Sequence, residues 1–393
     1  MDRSLENYQE EIFAAGLDGA VPALPTDLSR LEDAARSRLR PEVFGYIEGG
    51  AGAGDTIAEN AAALRRWRIV PRMLTDTSAP DYAGEVLGTR LAVPMLLAPV
   101  GGLGAVHADG ELAVARAAAS LGVPAIVSTT TSATLEEIAR ELARSGAGAQ
   151  YWFQLYWPKS RNVAASLLGR AQAAGYGVLV LTLDTPMLGW RPHDLDRGFT
   201  PSVRGIGVGN HLSDPAFCAE LAEPPADNPG AAIAHRAEIF GDPSLTWADL
   251  PFLRQHWDGP IVLKGILSAA DAERAADAGM DGVVVSNHGG RQVDGAIGAL
   301  DALPPVVAAV GDRMTVLFDG GIRGGADMFK ALALGARAVL IGRPYVYALG
   351  LAGQDGVRHV LRALRNDFEL TMRLAGRPRL SDLSPDALVG PSC

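Results

Sequence analysis

From residue 94 onward the chain repeats one unit, a short run of aliphatic and β-branched residues followed by an Ala-rich stretch with helical spacing. The runs fall at 94–99, 124–128, 151–156, 178–184, 260–265, 282–287, 315–320 and 338–343, which makes eight. Helical stretches between them include 111–121, 135–144, 163–174, 269–278 and 325–334. Eight strands alternating with helices predict a closed α/β barrel, the (β/α)8 TIM barrel, because an open doubly wound sheet seldom needs so many. Such barrels reach about 400 residues with insertions. A chain of 393 residues, 48% hydrophobic, therefore fits one barrel with appendages. The expected divisions are an N-terminal helical extension over 1–90, packed on the barrel, the barrel itself over 91–383, and a tail over 384–393. One spacing departs from the rest. Between the fourth run and the fifth lies a long insertion rich in Gly, Pro, Asp and Asn. An irregular loop of that length in a compact domain has a functional reading, here a lid over the barrel mouth at about 189–245, with a helix over 245–256 before the fifth strand.

In barrels of this kind the active site is built where the strands end. Those ends carry Pro99, Val100 and Gly101; Ser128 and Thr130; Gln154 and Tyr156; Thr182 and Asp184; and Lys264. The last two strands end in Asp319, Gly320, Gly321 and Arg323, and in Gly342 and Arg343. Loops after strands seven and eight form the usual phosphate site, and glycine amides beside two arginines suit a phosphate, so a phosphorylated cofactor is expected. No G-x-G-x-x-G turn sits in a Rossmann-like unit, which argues against a nicotinamide dinucleotide. The sixth strand runs into Ser286, Asn287, His288, Gly289, Gly290, Arg291, Gln292, Val293 and Asp294. A histidine takes a proton near neutral pH, and a guanidinium three residues on can hold a carboxylate through two parallel bonds. The pair predicts deprotonation of a substrate that carries a carboxylate. Singly, each residue has a plainer reading: His288 as a structural hydrogen-bonder, Arg291 as a surface ion pair, Lys264 as a core-edge ion pair, and Tyr46 as an interfacial aromatic.

The net charge of -10 argues against a nucleic-acid or anionic-membrane surface, since phosphate binding draws on excess Lys and Arg. Only two cysteines occur, Cys218 and Cys393, so neither a disulfide framework nor a metal cluster is expected. The polar, acidic start lacks the apolar core of a signal peptide, and the apolar run at 91–106 is too short to span a bilayer. A cytoplasmic protein with a small-molecule partner follows. Helical spacing over 28–47 places Tyr46 just before a Gly-rich segment, 49–54, which is expected to end the helix and form a mobile loop.

The string from Ser286 to Asp294, taken with Phe153-Gln154-Leu155-Tyr156, Leu181-Thr182-Leu183-Asp184-Thr185-Pro186, Leu263-Lys264-Gly265 and 329–335, resembles the FMN-dependent α-hydroxy-acid oxidising enzymes. The resemblance covers residues 8–383. It implies oxidation of the L isomer of a 2-hydroxy acid at the α-carbon, with O2 as electron acceptor. His288 would be the base and Asp184 its support; Arg191 and Arg291 would bind the carboxylate, with Tyr46 and Tyr156 orienting the substrate. FMN would lie on Pro99, Val100 and Gly101 and contact Ser128, Gln154, Thr182, Lys264, Ser286, Gly289, Arg291, Asp319 and Gly320. Its phosphate would sit at Gly321, Arg323, Gly342 and Arg343. No metal is implied, and the family points to a homotetramer or homo-octamer.

Within the family the start of the chain, the exit Gly189-Trp190-Arg191-Pro192, the long insertion and Gly101 resemble the lactate 2-monooxygenase subgroup. That subgroup converts L-lactate to acetate, CO2 and water when the keto acid stays under the lid; early release gives a peroxide-forming oxidase. Thr130 on the pocket wall and His211 in the lid depart from the pattern and point to a larger or more polar acid. The remoter alternatives are a type 2 isopentenyl diphosphate isomerase, an IMP dehydrogenase relative and a non-catalytic FMN-binding barrel. IMP dehydrogenases carry a catalytic cysteine in a barrel loop, and neither cysteine here stands at a strand end.

Overall fold

The computed structural model describes residues 7–144 and 151–390. Cys393 and the first six residues lie outside that set. Numbering barrel elements only, the strands are β1 (Met95–Leu97), β2 (Ile126–Ser128), β3 (Trp152–Leu155), β4 (Val178–Thr182), β5 (Ile261–Ile266), β6 (Gly282–Val285), β7 (Thr315–Phe318) and β8 (Val339–Ile341). The helices that follow them are α1 (Gly110–Ser120), α2 (Leu135–Ala143), α3 (Arg161–Ala173), α4 (Pro251–His256), α5 (Ala269–Asp277), α6 (Ala299–Val310), α7 (Gly325–Ala333) and α8 (Arg343–Leu374). The strands are parallel, in the order β1-β8-β7-β6-β5-β4-β3-β2. A bridge from Leu97 to Ala125 joins β1 to β2 and closes the barrel. The expected (β/α)8 fold is what forms.

Nearly every strand residue is buried, as parallel strands flanked by helices must be. Alternation then divides them. Leu96, Ile126, Trp152, Val180, Val262, Val284, Leu317 and Leu340 fill the barrel interior, whereas Leu97, Val127, Phe153, Leu181, Leu263, Val285, Phe318 and Ile341 face the helix layer. A hairpin formed by Gly84–Val86 and Thr89–Leu91 adds Val86 and Leu91 to the interior cluster. The Trp152 indole donates to Thr89 Oγ1 at 2.8 Å, so the hairpin closes the end of the barrel away from the site.

Three local expectations are corrected. The stretch 28–47 is two helices, Leu31–Arg38 and Pro41–Glu48, because Pro41 forces Arg40 into an extended conformation (ψ 139). The segment after them is not a free loop. Ala51 N donates to Gly290 O and Gly52 N to Trp190 O, both at 2.9 Å, and Ala53 N to Asp294 Oδ2 at 2.7 Å. Finally, the insertion is built of short helices, Pro192–Leu195, Gly209–Leu212, Pro215–Ala219 and Pro229–Ile239. Pro192, Pro201, Pro215 and Pro229 stand at helix starts, and Asp214 and Asn228 cap the helices that follow them. Composition that reads as irregular loop is helix-start chemistry. Part of the insertion is locked to the barrel: Asn210 Nδ2 donates to Thr129 O at 3.0 Å, and buried Asp214 pairs with Arg170 at 3.0 Å. No helix among the described residues is long and apolar enough to cross a membrane.

Candidate active site

The strand ends open into one cleft, partly open to solvent. Pro99, Val100, Gly101, Thr130, Tyr46, Tyr156, Thr182, Arg191 and Lys264 line it, as do His288, Gly289, Arg291, Asp319, Gly320, Arg323, Gly342 and Arg343. Ser128, Gln154 and Ser286 stand behind that wall and hold it in place. Ser128 Oγ donates to Gln154 Oε1 at 3.0 Å, Gln154 Nε2 to Thr182 Oγ1 at 2.9 Å, and Lys264 Nζ to Ser286 Oγ at 2.8 Å. Gly321 packs against Leu64 and Asn60 rather than facing the cleft.

His288 leaves β6 in the left-handed region, φ 56, which histidine tolerates better than most side chains. Its backbone N–H donates to Ser286 Oγ at 3.0 Å. Its Nδ1 lies 2.7 Å from Asp184 Oδ1, beyond the end of β4. Asp184 fits there because Gly265 has no side chain: a Cβ at Gly265 would fall 2.8 Å from the carboxylate. Burial pushes the Asp184 carboxyl up, but His288 and Lys264 outweigh it and hold it below the ordinary range. Burial pushes His288 below its ordinary 6.5, against the pull of Asp184. Near neutral pH the pair is thus a carboxylate and a neutral imidazole. With Nδ1–H donating to Asp184, the Nε2 lone pair is free to accept a proton.

The sign of the pH dependence follows. Only a neutral His288 can accept a proton, so if His288 is the base kcat/KM is expected to rise with pH through the His288 pKa and level off above it. Asp184→Asn removes the charge that opposes burial, so the acid limb moves to lower pH. The plateau is expected to fall by about 10–150-fold, the worth of a charged hydrogen bond of about 1.5–3 kcal/mol. A pH profile of kcat/KM checks both; an unchanged limb and plateau would remove Asp184 from the site.

Arg191 and Arg291 stand side by side. Arg191 Nε donates to Arg291 O at 3.0 Å and its Nη2 to Gln292 Oε1 at 2.6 Å, while Arg291 donates to Gly49 O and lies 5.3 Å from the Tyr46 ring centroid. Burial and then Arg291 lower Arg191 to about 10, so the Arg191 guanidinium stays charged near neutral pH. Tyr46 donates to Gly101 O at 3.1 Å, and the Tyr156 ring lies 6.5 Å from that of His288. Buried Asn60 and Asn287 bond each other reciprocally at 2.7 and 2.8 Å, fixing the residue before His288.

The residues also fit a phosphorylated flavin. Lys264 is buried, bonds Asp319 Oδ2 at 2.7 Å, and keeps its charge because Asp319 and Asp184 outweigh burial. Asp319 Oδ1 is buried with no partner, and a Cβ at Gly342 would meet only Ala98, at 4.0 Å. Arg343 gives three of its five N–H groups to Ile47 O, Gly289 O and Gly49 O at 3.0, 2.8 and 3.3 Å. The Arg323 guanidinium, which among the described residues donates only to the neighbouring Ile322 O, is the freer cation for a phosphate at the start of α8.

Several lining residues carried no sequence assignment: Thr185 and Leu188, just before the insertion, and Pro201, Ile206, Arg236 and Phe240 within it. Thr185 and Gln292 lie within recognised strings and could have been found there; nothing in sequence marks Arg236. His211 does not reach the cleft. It is buried, its ring 5.6 Å from that of Phe217, with burial lowering it to about 3, so it is a core residue and carries no information on substrate.

Gly101 faces Thr130 closely: a Cβ at 101 would fall 1.8 Å from Thr130 Oγ1. Gly101→Ala is expected to cost about 1–3 kcal/mol of stability or FMN retention. Adding Thr130→Ala should recover most of it. Thermal melts of the single and double variants measure this, and strictly additive losses would exclude the clash.

A closed barrel whose mouth joins a His–Asp pair, two adjacent arginines and a cradle of glycines and basic residues suits an oxidoreductase of carboxylate-bearing alcohols. A model of the family described as FMN-dependent dehydrogenase matches residues 35–390. An FMN-dependent alpha-hydroxy acid dehydrogenase of Penicillium citrinum is 45% identical over 97% of this chain and 95% of its own length. A 4-hydroxymandelate oxidase of Amycolatopsis orientalis is 43% identical over 89% of this chain and 94% of its own. The crystal structure of a mandelate oxidase superposes with a TM-score of 0.82 at 41% identity, covering 94% of this chain and 99% of that one. The chain belongs to the FMN-dependent dehydrogenase family and is an FMN-dependent α-hydroxy-acid oxidoreductase.

Proposed function

We propose that the chain oxidises the L isomer of a 2-hydroxy acid with O2 as electron acceptor, and that the 2-keto acid stays under the insertion long enough to be oxidatively decarboxylated, as in lactate 2-monooxygenase chemistry. The observation that carries the first part is the His288–Asp184 pair beside Arg191 and Arg291 in one cleft. The substrate carboxylate docks on the two guanidiniums, and Tyr46 and Tyr156 orient the hydroxyl. His288 Nε2 takes a proton, and the Asp184 carboxylate stabilises the imidazolium that results. Pro99, Val100, Gly101, Thr182, Lys264, Gly289, Asp319, Gly320, Arg323, Gly342 and Arg343 would hold FMN. When bound, FMN supplies an acceptor for two electrons. Thr200, Pro201, Ser202 and Phe240 of the insertion line the cleft, which supports retention of the product. A second reading, release of the keto acid and hydrogen peroxide, is favoured by relatives described as oxidases, among them an L-lactate oxidase of Lysinibacillus sphaericus, 41% identical over 93% of both chains. A homotetramer or homo-octamer in the cytoplasm goes with either.

Aerobic turnover with quantification of peroxide, keto acid and the acid one carbon shorter separates the two readings. The shortened acid without free peroxide supports retention; keto acid with matching peroxide selects the oxidase.

A further inference from the structure

We propose that Arg236 determines specificity by pairing with a second carboxylate at the far end of the substrate, so that the preferred substrates are 2-hydroxy diacids; this rests on the 2-hydroxy-acid reading above. Arg236 projects from the insertion helix Pro229–Ile239 into the cleft wall and is only 4% exposed. Its guanidinium lies 4.6 Å from the Phe240 ring centroid, which covers one face with carbon. Its Nε is buried without a partner, and among the described residues the side chain has no hydrogen bond or ion pair. The other buried arginines of the cleft are matched: Arg191 by Arg291 O and Gln292, Arg343 by three carbonyls.

Burial lowers Arg236 to about 10, so it is charged at neutral pH. A buried charge without a counterion is costly, and a planar fork of donors is relieved best by a carboxylate. It comes from a different element, the helix Pro229–Ile239, and among the described residues makes no hydrogen bond to Arg191 or Arg291. Tyr156 and Tyr46 are near enough to act electrostatically on Arg236 and on Arg191 alike, so the two guanidiniums share the tyrosines as neighbours in one cleft. A substrate held by its α-carboxylate at Arg191 and Arg291, with its hydroxyl at the tyrosines and His288, would extend its remaining chain toward Arg236. A methyl or phenyl group there leaves the guanidinium unpaired; a carboxylate satisfies it.

The test compares kcat/KM of the FMN-loaded enzyme for L-malate and L-2-hydroxyglutarate with that for L-2-hydroxybutanoate and L-mandelate. Wild-type enzyme is expected to favour a diacid, and Arg236→Met to lower the diacid-to-monoacid ratio by about 10–100-fold, with Arg236→Lys recovering part of it. FMN content and melting temperature show whether each variant folds. Independently of any variant, a plain dicarboxylate such as glutarate should inhibit wild-type enzyme about tenfold more tightly than a monocarboxylate of equal length. An unchanged ratio in Arg236→Met, a wild-type preference for monoacids, or equal inhibition overturns the inference. If monoacids reduce bound FMN and diacids do not, this inference alone falls; if no 2-hydroxy acid does, the function proposed above falls with it.

Discussion

His288→Ala is expected to slow reduction of bound FMN by an L-2-hydroxy acid by about 10²–10⁴-fold, the usual contribution of a positioned general base, with FMN still bound. His288 reaches the cleft with its Nδ1 held at 2.7 Å by Asp184, which leaves its Nε2 to take the proton. The backbone bond from His288 N to Ser286 Oγ does not depend on the ring. Alanine at φ 56 carries some strain, however, and His288→Asn, which suits that conformation, is the companion variant. Rapid-mixing absorbance under anaerobic conditions measures both. Near-normal reduction in either variant with full FMN occupancy would assign the proton to another group.

Arg291→Lys is expected to lower kcat/KM by roughly 30-fold to several-thousand-fold, corresponding to about 2–5 kcal/mol for disturbing a buried charged pair. Arg291 makes contacts that a lysine cannot copy together. It donates to Gly49 O, lies against the Tyr46 ring at 5.3 Å, and presents a planar fork to the cleft. Lysine keeps the charge and loses the geometry. Steady-state kinetics would show the loss, and a change of less than about threefold would exclude paired bonding to the carboxylate.

The strands were legible because parallel strands covered on both sides are apolar throughout, and runs as short and β-branched as Gly282–Val285 or Val178–Thr182 read as strands rather than helices. The His288 string was legible because it is local in sequence and lies where a strand ends. Asp184 and Lys264 were legible as strand-end residues, whereas Arg191, in the insertion, reached the site through the resemblance; the fold brings all three together around one cleft. What stayed hidden depends on packing at a distance. Four-residue helices such as Pro192–Leu195 and Gly209–Leu212 are too short to show a helical period, so the insertion read as loop. Whether a polar residue on such a helix faces the core, as His211 does, or the cleft, as Arg236 does, is set by the neighbours it docks on. Asn60 is likewise silent in sequence, although it fixes Asn287 from a helix more than two hundred residues earlier.

The most direct test of the central claim is an anaerobic titration of the purified FMN-bound protein with matched L and D isomers of a 2-hydroxy acid panel, following flavin absorbance and keto acid together. The expected result is bleaching by the L isomer with stoichiometric 2-keto acid, and none by the D isomer. Bound FMN that dithionite bleaches but no L-2-hydroxy acid does would contradict it.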